Sequence, residues 1–417
     1  MRVVLFPLGS SGDVHPFVGL GSRLRERGHD VTVATNEVFE SLVERAGLGF
    51  VELSSREEFE KTFNHPNIWH PRYGYLRAFT QVILPAMRRQ FAIAERCDPD
   101  ETILVGATGS IGARIAHDAL GIPLVSVHLQ PQVLWSEHRS PVVGPILVGD
   151  WVPRFLKRFQ FRLAEALTVV PFVLKEANAF RVELGLPPHR DVRELWNSPQ
   201  RVIGMFPEWF APRQPDWPRQ LALTGFPLWD EVGELPEEVE AFLGAGDPPV
   251  VFTAGTAMVH GASFFAESVE ACRGIGRRGV LLSRCAEQVP DELPPEVRHF
   301  EFVPLQLLLP RSAALVHHGG IGTLGQALAA GLPQLVMPMT YDQPDNAARL
   351  QRLGVAEAIK PAAYRAPAVA RALERLLSSR EVESRCERLA SRFAHGDPLG
   401  EACDAIEGVL ERQTTAA

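Results

Sequence analysis

The sequence predicts an α/β protein made of two doubly wound halves, and three observations predict it. Short β-rich runs alternate with helix-period runs from the first residues onward. The alternation stops near residue 224 and restarts near residue 250. At 417 residues the chain is too long for one ordinary core, at roughly 100–200 residues per domain.

In order, residues 3–7 (VVLFP) read as a strand, Phe17, Leu20 and Leu24 follow at helical spacing, Gly28 stops that helix, and residues 31–35 (VTVAT) form the next strand. The rhythm continues through strands at 49–53 and 102–106, a helix at 111–120 capped by Gly121, and a strand at 123–127. Near-continuous apolar strands between helices imply a parallel sheet covered on both faces. Residues 54–80 and 128–150 break the pattern and are rich in Pro, His and aromatics, as ligand-facing loops often are. From Thr224 to Val250 runs an acidic linker with Asp230, Glu231, Glu234, Glu237, Glu238 and Glu240, long enough for one short helix. Beyond it come strands at 250–253, 279–282, 299–302, 314–316 and 334–337, with helices near 263–273, 322–330 and 346–353. The expected division is 1–218, then 219–392, then a C-terminal helix and tail at 393–417 that returns to the first half.

Composition narrows the function. With 46% hydrophobic and 22% charged residues the chain can bury substantial cores. A net charge of −8 excludes nucleic acid as the main partner, which needs clustered Lys and Arg. The five cysteines, Cys97, Cys272, Cys285, Cys386 and Cys403, are odd in number and far apart, so reduced thiols and a cytoplasmic location are expected. No run reaches the roughly 18 apolar residues of a membrane span, and the apolar start is broken too early for a signal peptide. Any membrane contact is then peripheral, at the inner face. Arg154, Lys157, Arg158 and Arg162 lie among Trp151, Phe155, Phe159 and Phe161, with no acid until Glu165. That segment reads either as a solvated helix face or as a dock for anionic lipid.

The chemistry concentrates in LVHHGGIGTLGQAL, residues 315–328. A strand ending in His is followed by glycines and a Thr that opens a helix, so free backbone N–H groups and the positive helix end converge on one point. Such a point suits a diphosphate. Downstream, Tyr341-Asp342-Gln343-Pro344-Asp345-Asn346 puts polar groups at a strand end, where sugar hydroxyls can be bound. The opening LGSSGDVHPF places Asp13 and His15 on a glycine-flanked turn between strand and helix.

HHGGIGTLGQALAAGLP together with DQPDNA resembles the donor signature of nucleotide-sugar glycosyltransferases of the two-Rossmann GT-B fold, family 1 type. NSPQ (197–200), FPEWFAP (206–212), DWP (216–218) and TGFPLWD (224–230) further resemble the chain-B rhamnosyltransferases of rhamnolipid synthesis. The resemblance implies an N-terminal acceptor domain and a C-terminal nucleotide-sugar domain. It implies His317, Gly319, Gly320, Gly322, Thr323 and Thr256 around the donor diphosphate, Asp342 and Gln343 on the sugar, and Phe302 and Val303 at the base. Where many relatives carry a ribose-binding Glu this sequence has Gly325, with Gln326 beside it. Family members commonly show Gly-His-x-x-Pro at the first turn; here Gly12-Asp13-Val14-His15-Pro16 makes Asp13 the expected base and His15 its rival. A carboxylate there would take the proton of an acceptor hydroxyl in an inverting transfer, although Asp13 equally suits a helix cap.

The implied activity is inverting, metal-independent transfer of a hexosyl group, rhamnosyl among the candidates, from a dTDP- or UDP-sugar to a hydroxyl of a lipid-like or other hydrophobic acceptor. No cofactor or metal is expected. Trp69, Tyr73 and His128 are the expected acceptor contacts, with core packing the alternative for the aromatic pair. UDP-glucose-type transfer to sterols or natural products is the nearest variant, and 2-epimerisation is another reaction on the same architecture. A catalytically silent partner is the reading from another class, weakened by the retained His317, Thr323, Asp342 and Gln343.

Overall fold

The structure, a computed structural model, describes the chain apart from residues 71, 72, 145, 147, 150, 230–232, 257, 259, 395 and 415–417. Asp230 and Glu231 of the acidic stretch therefore lie outside the described residues. The chain divides into two compact units, Met1–Pro227 joined by Asp397–Ala417, and Leu228–Gly396.

The first unit holds a seven-stranded sheet in the order β3-β2-β1-β4-β5-β6-β7. Its strands are β1 (Arg2–Phe6), β2 (Asp30–Asn36), β3 (Gly49–Ser54), β4 (Thr102–Ala107), β5 (Leu124–His128), β6 (Arg201–Gly204) and β7 (Leu221–Leu223). Every neighbouring pair is parallel, as apolar strands joined through helices require. Phe6, Leu104, Leu124 and Ile115 share one core with Phe91 and Phe180. Each such fully buried side chain contributes about 1.5–3 kcal/mol. The division falls after Pro227 rather than at 218 because β7 pairs with β6 through Val202↔Leu221 to Gly204↔Leu223. The helix Pro398–Thr414 belongs to this unit: Arg27 meets Asp404 at 2.6 Å and Glu407 at 2.7 Å, and His29 meets Glu407 at 2.9 Å.

The second unit holds a six-stranded parallel sheet in the order β10-β9-β8-β11-β12-β13. Its strands are β8 (Val250–Thr253), β9 (Gly279–Leu282), β10 (Val297–Phe300), β11 (Ala314–His317), β12 (Gln334–Val336) and β13 (Ala356–Ala358). The expected strand at 299–302 lies two residues earlier, because β10 is held in register with β9 from Val297↔Gly279 to Phe300↔Leu282. That shift leaves Phe302 outside the sheet, 40% exposed. The linker's one short helix is Glu237–Gly244, pinned by buried Val239 and Leu243 against Val251, Val280 and Leu315.

Both sheets reverse their strand order, at β1/β4 in the first unit and at β8/β11 in the second. In open parallel sheets the loops at the carboxyl ends of the strands beside that reversal form the ligand crevice. Each unit has its own such edge: the turn after β1 in the first, the loops after β8 and β11 in the second.

Candidate active site

After β1 the chain turns through Gly9 and enters the helix Ser11–Glu26, whose N-cap is Ser10. Asp13 is the third helical residue. Its Oδ2 accepts the Ser10 N–H at 2.9 Å and the Ser10 hydroxyl at 3.2 Å, the return arm of a capping box. No hydrogen bond to Oδ1 occurs among the described residues. Gly9 has φ 128°, and a Cβ there would lie 2.3 Å from Asp13 Oδ2, so only glycine admits this carboxylate to the turn. Burial drives the Asp13 carboxyl up to about 6, against the two Ser10 hydrogen bonds that pull it down. His15 is half-buried two residues on, about 200° round the helix axis from Asp13. The two side chains leave the helix on different faces.

Beside this turn lies a cavity of about 80 Å³, whose lining includes Gly9, Thr35, Asn36, Phe59, Phe63 and Val82. It has an apolar wall and a few polar groups but is several-fold smaller than the ~300 Å³ of a small-molecule site, and Asp13 is not among its lining residues. Trp69, Tyr73 and His128 are not among its lining residues. Trp69 is half-buried, and Tyr73 is 53% exposed with its ring 4.7 Å from that of His70. His128 requires a correction. It is fully buried, its Nδ1 is 2.8 Å from the Thr108 hydroxyl and its Nε2 3.0 Å from Asn197 Oδ1. Burial pushes its pKa down to about 4, so it is a neutral brace at the end of β5 with both nitrogens spent and none for an acceptor.

In the second unit the helix Ile321–Ala329 starts on Gly320, which supplies no side-chain cap. The N–H groups of Ile321, Gly322 and Thr323 consequently lack acceptors within the helix and point out of its positive end. Gly322 is exposed and Thr323 half-buried.

The two histidines ahead of that helix divide the work. His317 is fully buried; its Nε2 lies 3.0 Å from Gln334 Oε1, and its Nδ1 accepts the Gly319 N–H at 3.1 Å. Desolvation, then the neighbouring His318, pushes its pKa down to about 3. The neutral ring thus holds the Gly319 turn (φ 97°), with its Nδ1 engaged by the Gly319 N–H and its Nε2 beside Gln334. His318 is the ring at the strand reversal. A Cβ on Gly255 would lie 2.8 Å from its Cε1, and one on Gly320 2.5 Å from its Nε2. The ring is held between the loops after β8 and β11 in space that glycine alone provides. Its buried Nδ1 has no hydrogen-bond partner among the described residues, and burial pushes its pKa down to about 4.

Asn346 ties the remaining loop in. Its amide donates to the Gly319 carbonyl at 2.9 Å and to Asp342 Oδ2 at 2.7 Å, joining the turn after β11 to the start of the helix Gln343–Leu353. Gln343 is buried and its Oε1 accepts from the N–H of Met339 and of Thr340, at 2.8 and 3.2 Å. Tyr341, at φ 56°, is the one non-glycine residue with positive φ among the described residues. Strain of that kind collects where a loop is shaped for a ligand. Thr256 is exposed beside Gly255. Phe302 stands exposed at the end of β10 with the Arg284 guanidinium 5.4 Å above its ring, whereas Val303 is 2% exposed and packs in the core.

Residues 3–135 match the glycosyltransferase family 28 N-terminal domain, and residues 280–402 match the C-terminal domain of erythromycin biosynthesis protein CIII-like proteins. The O-mycaminosyltylonolide 6-deoxyallosyltransferase of Streptomyces fradiae is 31% identical over 100% of this chain and 99% of its own length. The chain is a glycosyltransferase of this family. Solved structures agree on the GT-B fold of the enzyme: the kitacinnamycin glycosyltransferase superposes with TM-score 0.73 at 22% identity, covering 98% of this chain and 99% of the other. A spinosyn rhamnosyltransferase solved with thymidine diphosphate does so with TM-score 0.70 at 18% identity, covering 96% and 98%.

Sequence reasoning passed over His318, Asn346 and the cavity wall. The first had a visible signal: side chains alternate across a strand, so two adjacent histidines at a strand end cannot both face the same loop. The cavity residues come from four separate segments and carry no local pattern.

Proposed function

We propose that this transferase moves a deoxyhexosyl group from a dTDP-sugar to a hydroxyl of a hydrophobic acceptor, with inversion. The observation that carries the reading is the uncapped helix start after β11, with His318 set beside it at the strand reversal. Its uncapped N–H groups and neutral imidazole suit a diphosphate, and they would stabilise it as a leaving group. The 6-deoxyallosyl donor named for the Streptomyces fradiae relative and the thymidine diphosphate of the spinosyn enzyme support a dTDP-deoxysugar. The narrower likeness of residues 197–218 and 224–230 to rhamnolipid rhamnosyltransferases makes rhamnose the first sugar to test.

Asp13 is the base in this reading. The acceptor oxygen attacks the anomeric carbon, its proton passes to the Asp13 carboxylate, and the bond to the diphosphate breaks. The raised pKa of Asp13 suits it to accept a proton near neutral pH. In this reading His317 and Asn346 act as positioning residues, Asp342 and Gln343 would hold the sugar, and Phe302 would stack on the base. The test is release of nucleoside diphosphate from dTDP-rhamnose and UDP-glucose with a panel of hydroxylated lipids and polyketides. Release that requires an acceptor, with a product of inverted anomeric configuration by NMR, is expected. Consumption of neither donor with any acceptor, or a retained configuration, would overturn the reading.

A further inference from the structure

The helix Arg154–Thr168 in the first unit is fastened by one face only. Phe161 stacks on Trp135 with ring centroids 4.6 Å apart, Lys157 is 2% exposed with its Nζ 3.4 Å from the His138 carbonyl, and Trp135 donates to Glu165 at 2.9 Å. Half a turn away, the positions two residues off that face form a stripe of large apolar side chains in solvent. Trp151 is 76% exposed, Phe155 73%, Phe159 60%, Leu163 47% and Leu167 66%, each four residues from the last. At ~200 Å² for a large side chain the stripe shows roughly 600 Å² of apolar surface, as much as the largest patch on a typical monomer.

The charge beside it decides the occupant. Arg154, Arg158 and Arg162 form a parallel row one position round the helix, all exposed, and residues 151–164 contain no acid. Arg158 is held by Glu137 at 2.5 and 2.7 Å; Arg154 also lies near Glu137, and Arg162 near Glu165 and Asp191, without a direct ion pair among the described residues. A second copy would bring the same arginines, with Glu165 turned to the fastened face and bonded to Trp135, so pairing stripe to stripe gathers like charge. We propose that this stripe seats the enzyme on an anionic lipid surface, with the helix lying in the interface plane, aromatics inserted and arginines at the phosphates. Among the described residues no helix is long and apolar enough to cross a membrane, so the contact is with one face only. The inference is independent of the donor and base assignments.

The test is sedimentation of the full chain with sucrose-loaded vesicles of phosphatidylcholine alone and with ~30% phosphatidylglycerol added, a composition chosen at roughly the anionic content that polybasic segments sense. Wild type is expected to pellet with the anionic vesicles and to be released by salt. Phe155→Ser/Phe159→Ser should lower partitioning at least about tenfold, since exposed side chains carry the contact, and Arg154→Gln/Arg162→Gln should lower it on anionic vesicles only. Both variants should keep the wild-type unfolding midpoint. No pelleting with either composition, unchanged partitioning of the folded variants, or a dimer in light scattering that Phe155→Ser/Phe159→Ser dissociates would each overturn the proposal.

Discussion

Replacing Asp13 by an asparagine separates catalysis from stability, because burial raises the Asp13 carboxyl from 3.8 to about 6. A carboxyl with a raised pKa destabilises the fold wherever it is ionised. The penalty is absent below about pH 4, where folded and unfolded chains are both protonated, grows between about pH 4 and 6, and is complete above about pH 6. A shift of about two units corresponds to ~3 kcal/mol, and the half-buried setting of the side chain lowers the expectation to about 1–3 kcal/mol. The side-chain amide oxygen introduced by Asp13→Asn can still accept from the Ser10 N–H and hydroxyl, so this variant should unfold several degrees higher than wild type at pH 8 and at the same temperature at pH 4. Transfer should fall by about 10²–10⁴, with nucleotide affinity within about threefold. In the wild type, kcat/KM should drop about tenfold per pH unit below about 6. Thermal unfolding from pH 4 to 8.5, with nucleotide release as the rate assay, reads all of this. A variant within about threefold of wild-type turnover, or a stability difference that does not change with pH, would refute the reasoning.

Three further outcomes follow from the same geometry. Gly9→Ala brings a methyl to 2.3 Å from Asp13 Oδ2 at φ 128°, so it should lower the melting temperature, by roughly 1–3 kcal/mol of strain, and reduce kcat more than it raises donor KM. His317→Ala leaves the Gly319 N–H and Gln334 unpartnered and should destabilise by about 2–3 kcal/mol, whereas His318→Ala should weaken nucleotide binding with little change in midpoint; calorimetry and thermal unfolding distinguish the two. Asn346→Leu cuts the link between Asp342 and the Gly319 carbonyl and should raise donor KM severalfold in steady-state kinetics, with acceptor KM unmoved.

Much of this architecture is legible in the chain, for reasons that particular residues show. β1, β2, β4, β5, β8, β9 and β11 are runs rich in Val, Leu, Ile and Phe, most of them bounded by Gly or Pro, as a buried parallel strand demands. β13 is Ala-Glu-Ala and β7 Leu-Ala-Leu; neither carries β-branched residues, and only pairing with a formed neighbour makes them strands. The slip of β10 has the same origin, since its register is set by β9. At the site, glycines around the HHGG segment mark a close turn, but which histidine faces it depends on Gly255, distant in sequence yet adjacent across β8 and β11. Asp13 was legible as base or cap, and the structure gives its carboxylate the capping contacts while burial raises its pKa.

Nucleoside diphosphate binding by the purified protein tests the donor site most directly. A ligand that binds only the folded chain raises its stability, by about 2.7 kcal/mol at a hundredfold excess over Kd. A thermal-shift series with dTDP, UDP and GDP is therefore predicted to show stabilisation, largest for dTDP and diminished in His318→Ala. Equal midpoints with and without every nucleotide would contradict it.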